Sequence, residues 1–349
     1  MVRSQSVFLT NHLQLTTYHP ILSYFLTTMI IPYISIARPD HWFKNVFMLL
    51  GTVLVFFYKP ELIGQLNQPT IWLTISWAFA ATCIVASSNY VINEILDAPT
   101  DLAHPKKRFR PIPSGKVKLP IAYAEWIALG ALGLWMAWQV NVWFFASAAW
   151  LLVMGLIYNI PPVRSKELPY LDVLSESVNN PIRLLLGWFA LTDTLVPPIS
   201  LMIAYWMAGA FFMAAKRWAE YKSINDPEAA AAYRRSFKWY NLDRLMVSMF
   251  FYSITCALFL GVFIVRYHLE LILSMPFIAG FFAMYLHVTF LPDSPVQAPE
   301  HLYRQKGLMI YLVICAVVFF GLMFSNIPAM YDLFNVEQTT IAPLWTIGK

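Results

Sequence analysis

Nine apolar stretches, at about 39–58, 69–95, 119–139, 142–159, 169–192, 196–221, 243–265, 269–291 and 306–325, leave this 349-residue chain few ways to fold. Each is close to the roughly 20 residues that cross the hydrocarbon core of a bilayer as a helix. No water reaches that core to meet backbone N–H and C=O groups, so a spanning run must satisfy them within itself, as an α-helix does. Composition agrees: 59% of residues are hydrophobic, 12% are charged, and the mean hydropathy is +0.57. A soluble domain carries about 25% charged residues. The expectation is an all-α, polytopic membrane helical bundle of nine transmembrane helices. Residues 20–36, interrupted by Pro20 and Pro32, are short for a span and are expected to form an interfacial or re-entrant helix. Residues 1–36 then make an N-terminal tail, 37–325 the nine-span domain, and 326–349 an extracytoplasmic tail.

Charge orients the bundle. Lys106, Lys107, Arg108, Arg110, Lys116 and Lys118 follow the second stretch, and Arg164 and Lys166 follow the fourth. Lys216, Arg217, Lys222, Arg234, Arg235, Lys238 and Arg244 surround the loop after the sixth, and Arg304 and Lys306 follow the eighth. The opposite loops offer little beyond Lys59 and Arg266. Basic loops stay in the cytoplasm, so every even-numbered exit is expected there, in a multi-pass protein of the cell (inner) membrane. The net charge of +5 is spread over these loops and is no nucleic-acid signal. Cys83, Cys256 and Cys315 lie inside apolar runs without metal-ligand spacing and read as small core residues. No cleavable signal peptide is evident in residues 1–19, which are polar and Thr-rich.

The chemistry concentrates in residues 89–115, NYVINEILDAPTDLAHPKKRFRPIPSG. Asn89, Asn93 and Asp97 fall at i, i+4 and i+8, one face of a helix that Pro99 is expected to end before Asp101. Oxygen donors from these residues and Glu94, followed by Lys106, Lys107, Arg108 and Arg110, suit a divalent cation held together with a polyphosphate. A helix cap with flanking positive charge explains the basic cluster, but not three carboxylates and two amides at helical spacing.

Three further clusters stand out. Arg38, Trp42, Lys44 and Asn45 open the first stretch, where Lys44 and Asn45 either hold a phosphate or anchor the helix at the interface. The fifth stretch carries Asp172, Glu176, Asn179, Asn180 and Arg183 as one polar stripe, which must pair internally or line a wet cavity. The sixth ends in Lys216, Arg217 and Glu220; Lys216 and Glu220 either pair along the helix or contact a phosphate or metal. Asp226 and Glu228 are expected to cap the helix that starts near Pro227. His41 and His104 lack partners at ligand spacing. A transporter also carries charge in its spans, but here the polar groups crowd one face of the membrane, as an enzyme acting on a lipid head group requires.

The Asn/Asp-rich end of the second stretch and YNIPPVRSK at 158–166 resemble the UbiA superfamily of intramembrane prenyltransferases. The segments ARPDHWFKN (37–45), DLAHPKKRFRPIPSG (101–115) and AAKRWAEY (214–221) are similar to its decaprenyl-phosphate phosphoribosyltransferase branch. The resemblance implies a helical bundle around a lipid-open cavity with a cytoplasmic-side active site. It also implies Mg²⁺-dependent transfer of 5-phosphoribose from phosphoribosyl diphosphate to a polyprenyl phosphate. In that scheme Asp97, Asp101 and Glu94 hold Mg²⁺, with Asn93 beside them, and Lys106, Arg108 and Arg110 assist the departing pyrophosphate. Lys44, Asn45 and Arg183 position the lipid phosphate, while Lys216, Arg217 and Glu220 contact the donor. Two features depart from the superfamily pattern: Asn93-Glu94 stands where it usually has Asn-Asp, and KRWAEY replaces its second acidic run. The alternative is prenyl transfer from a polyprenyl diphosphate to an aromatic or other small acceptor.

Overall fold

The computed structural model describes residues 30–102, 107–337 and 344–347. Among them all regular secondary structure is helical, apart from one antiparallel bridge between Leu195 and Thr346. The α-helices are α1 (Ile31–Ile36), α2 (Leu49–Tyr58), α3 (Pro69–Asp101), α4 (Leu119–Trp138), α5 (Val142–Asn159), α6 (Leu171–Ser177) and α7 (Asn179–Phe189). They continue with α8 (Ile199–Ile224), α9 (Pro227–Tyr233), α10 (Leu242–Tyr267), α11 (Met275–Phe290), α12 (Lys306–Met323) and α13 (Pro328–Phe334). Asp226 caps α9 as expected, its side chain accepting from the Glu228 amide at 3.0 Å.

Eight helical segments among the described residues are long and apolar enough to cross a membrane, against the nine expected. The difference lies at 169–192, which folds as α6 and α7 parted at Val178 instead of as one helix. Pro181 is the physical reason: it has no N–H to give the carbonyl of Ser177 four residues back. The first span also differs. Ile31–Tyr58 forms a single candidate span, in which α1 and α2 are joined by a 3-10 stretch, Pro39–Met48. Residues 20–29 of the expected interfacial helix, and most of the N-terminal tail, lie outside the described residues. Pro99 does not end α3, which runs on to Asp101. A proline in the last turn removes only one bond, and the Leu102 amide still reaches the Ala98 carbonyl at 3.2 Å. Within the C-terminal tail α13 is helical, while residues 338–343 and 348–349 lie outside the described part.

The chain divides into two compact units. The first comprises Met1–Asn45 and Ala80–Met136. Its core gathers Ile36, Val91, Ile92, Ile95, Ile112, Val117 and Ala122, so α1, the C-terminal half of α3, the loop after it and α4 share one apolar interior. Polar bonds cross-link them: Trp42 Nε1 donates to Ser87 Oγ at 2.9 Å, and Ser88 Oγ to the Trp126 carbonyl at 2.9 Å. Inside a membrane such bonds are worth roughly 1 kcal/mol each.

The second unit comprises Val46–Phe79 and Ala137–Lys349. Here α2 and α7 touch backbone to backbone. A Cβ on Gly51 would lie 2.0 Å from the Leu184 carbonyl oxygen, and one on Gly187 would lie 1.7 Å from that of Met48. Thr52 Oγ1 donates to the Gly187 carbonyl at 3.1 Å. Small residues permit this approach, which hydrocarbon alone does not drive. Gly187→Ala must therefore push the helices apart, at about 1–3 kcal/mol. A lowered thermal midpoint in detergent is expected for it, whereas Gly64→Ala, with nothing within 4 Å, should leave the midpoint in place.

Candidate active site

In the first unit α3 is continuous through Asp101, so Asn89, Asn93 and Asp97 do share one helix face. Asn93 and Asp97 are half-buried. Glu94 is 4% exposed, and its Oε1 accepts from the Ile112 amide at 3.2 Å, tying the basic loop to the helix. Asp101, also 4% exposed, accepts from Arg110 Nη1 at 2.7 Å, with Lys107 Nζ 4.0 Å from its other oxygen. Arg108 is exposed and its guanidinium lies 4.8 Å from the centre of the Phe109 ring. His104 and Lys106 fall outside the described residues. Lys44 is half-buried, its Nζ 3.3 Å from His41 Nδ1. Asn45 is fully buried and its amide donates to Cys83 Sγ at 3.3 Å.

Among the described residues no group of three or more His, Cys, Asp or Glu stands ready to hold a metal. Mg²⁺ does not require one: it keeps several waters and binds through one or two carboxylates plus substrate phosphates. The hard oxygen donors of Asn93, Asp97 and Asp101 on the last turns of α3 fit that mode of binding.

In the second unit the polar residues of α6 and α8 form a buried network. Asp172, 0% exposed, accepts from Tyr240 Oη at 2.7 Å on one oxygen. Its other oxygen accepts from Arg217 Nε and Ser236 Oγ, both at 3.2 Å. Arg217 is 3% exposed and also donates to Glu220 Oε2 at 3.0 Å; Lys216 Nζ lies 3.9 Å from Glu220 Oε1. Burial and the Asp172 carboxylate push the Tyr240 phenol well above its ordinary range, which keeps it a donor. Of the residues expected at the end of the sixth span, the structure brings Arg217 and Glu220 together with Asp172, while Glu176 and Arg183 are half-buried on α6 and α7. In YNIPPVRSK, Lys166 Nζ donates to Asn159 Oδ1 at 2.8 Å, Ser165 Oγ to Ser175 Oγ at 2.7 Å, and Arg164 pairs with Glu167 at 2.8 Å. These bonds close the loop after α5 on itself and onto α6. Sequence reasoning missed Ser236 and Tyr240, which reach Asp172 across more than sixty residues and carry no local pattern to reveal it.

Known proteins resemble this chain in sequence and in fold. A decaprenyl-phosphate phosphoribosyltransferase of Mycolicibacterium smegmatis is 30% identical over 216 residues, 61% of this chain and 63% of that protein. One from Corynebacterium glutamicum is 30% identical, covering 54% of each chain. The nodulation protein NoeC of Azorhizobium caulinodans is 31% identical over 59% of this chain and 62% of its own. The matched region thus spans between about half and two thirds of these relatives' length. In fold, the chain is similar to a UbiA homolog from Archaeoglobus fulgidus bound to DMAPP and Mg²⁺. The TM-score is 0.60 at 18% identity, over 86% of this chain and 99% of the other. Residues 49–306 match the UbiA prenyltransferase family, well over half of the sequence, and the chain belongs to that family.

Proposed function

We propose that this protein transfers 5-phosphoribose from phosphoribosyl diphosphate to a polyprenyl phosphate in a Mg²⁺-dependent reaction that releases pyrophosphate. The observation that carries the reading is Arg217. Its guanidinium engages both Asp172 and Glu220, so the acidic groups near the end of α8 are neutralised from within. A second metal–diphosphate site needs free carboxylates there; a donor bearing an additional phosphate needs cations, and beside Arg217 this unit holds Lys216 and Arg234. Relatives named for the same reaction, at about 30% identity, support it.

In this scheme Asp97 and Asp101, with Asn93, would hold the cation, and Glu94 fixes the loop that bears Arg108 and Arg110. A cation held there would neutralise charge on the departing pyrophosphate, to which Lys106, Arg108 and Arg110 add hydrogen bonds. The bond from ribose C1 to the pyrophosphate oxygen breaks as positive charge develops on the sugar. A lipid phosphate oxygen, positioned by Lys44 or Asn45, forms the new bond from the opposite face. No general base is required, because the phosphate is already anionic. In the second unit Arg217 holds the Asp172 and Glu220 carboxylates, beside Lys216. The basic loops argue that this chemistry faces the cytoplasm of the cell (inner) membrane.

Incubating purified protein with labelled phosphoribosyl diphosphate, a polyprenyl phosphate and Mg²⁺ should yield an organic-extractable, acid-labile sugar lipid. Label that stays in water, while a prenyl diphosphate alkylates an aromatic acid, would establish the prenyl-transfer alternative, which the family name favours.

A further inference from the structure

The ion-paired network of the second unit contains one cation whose donors its neighbours do not use. Arg234 lies between α9 and the 3-10 turn Arg235–Trp239. Its side chain is only 21% exposed, and its Nη1 stands 3.9 Å from Asp172, beyond hydrogen-bonding distance. Asp172 is already supplied with donors by Tyr240, Ser236 and Arg217. The Nε of Arg234 is buried without an acceptor, and its guanidinium makes no hydrogen bond to any described residue. The Phe237 ring, 5.9 Å away, gives it an apolar neighbour but no acceptor.

Arginine presents five donors in a rigid fork, and proteins leave few buried donors unmet. A ligand that meets these donors is an anion with several acceptor oxygens. We infer that Arg234 is a binding residue for a phosphomonoester group. A phosphate presents oxygens that an arginine fork grips bidentately. A metal-chelated diphosphate fits less well here, because both carboxylates of the network already bind Arg217. The inference rests on the transferase reading, in which both substrates carry such a group: the 5-phosphate end of the sugar donor and the head of the polyprenyl phosphate.

Two measurements on the full-length protein in detergent test it. Inorganic phosphate should raise the thermal midpoint of the wild type and of Arg235→Gln, an exposed neighbour paired with Glu167, but not of Arg234→Gln. In the transfer assay Arg234→Gln should raise the KM of one substrate about tenfold or more, with Arg234→Lys intermediate. A rise for the donor places its 5-phosphate at Arg234, and a rise for the acceptor places the lipid head there. Phosphate protection that survives in Arg234→Gln, or unchanged KM values for both substrates in a correctly folded variant, overturns the inference. If the wild type transfers no phosphoribose yet phosphate protection depends on Arg234, the anion site stands and the reaction assignment falls. If Arg234→Gln does not fold, Arg234→Lys carries both measurements.

Discussion

Arg217→Met should lower the thermal midpoint of the purified protein sharply, with a loss on the order of 3–5 kcal/mol, the usual consequence of removing one partner from a buried ion pair. The substitution nearly keeps side-chain volume but leaves Glu220 without its hydrogen-bonded guanidinium and Asp172 without its bonded counter-charge. Tyr240 and Ser236 would still donate to Asp172, but a fully buried carboxylate retains most of its desolvation penalty on neutral donors alone. Replacing the three charges together, as Asp172→Asn, Arg217→Met and Glu220→Gln, should recover part of the loss, because the most deeply buried groups are then all neutral and only the more exposed Lys216 and Arg234 keep their charge. The contrast separates two roles for the residue. If Arg217 served mainly as a phosphate contact, the single variant would melt like wild type and fail only in the donor KM.

The architecture was readable because the bilayer dictates it: a run of about 20 apolar residues has no alternative to a helix. The break at Val178 was written in Pro181, yet the polar stripe from Asp172 to Arg183 reads as one face of a single helix until the missing N–H of that proline is counted. Pro99 taught the opposite lesson, since the same missing donor in a last turn does not stop α3 short of Asp101. At the site, local spacing was legible and distant partners were not. The face shared by Asn93 and Asp97 follows from an interval of four. The use of Glu94 by the Ile112 amide depends on how an 18-residue excursion returns, and the bond from Tyr240 to Asp172 closes a loop of 68 residues. Sequence placed Arg217 among cations available to substrate because it ends an apolar helix beside Lys216. Packing against Asp172 on α6, not composition, gave it an internal partner.

Asp97→Asn should abolish turnover while leaving the protein folded. Asp97 is half-buried near the end of α3, whereas Asp101 is buried in a pair with Arg110 at 2.7 Å and Glu94 is buried on the Ile112 amide. Asp97 is therefore the least buried acidic residue of this motif. An amide keeps one oxygen donor but loses the negative charge that draws a hard dication to the site. A metal at a leaving phosphate stabilises developing charge by several kcal/mol, and 1.4 kcal/mol is a factor of ten, so kcat should fall at least about a hundredfold. The thermal midpoint should stay within about 0.5 kcal/mol equivalent of wild type, as expected for a substitution away from the packed core. Asp101→Asn should by contrast lose both activity and stability, because it weakens the charge-assisted bond that holds the basic loop through Arg110. Turnover should also vanish in excess chelator and return with Mg²⁺. An Asp97→Asn enzyme that turns over normally, or a wild type indifferent to chelator, would remove metal-assisted departure of pyrophosphate from the mechanism and leave the reaction to the arginines and lysines alone.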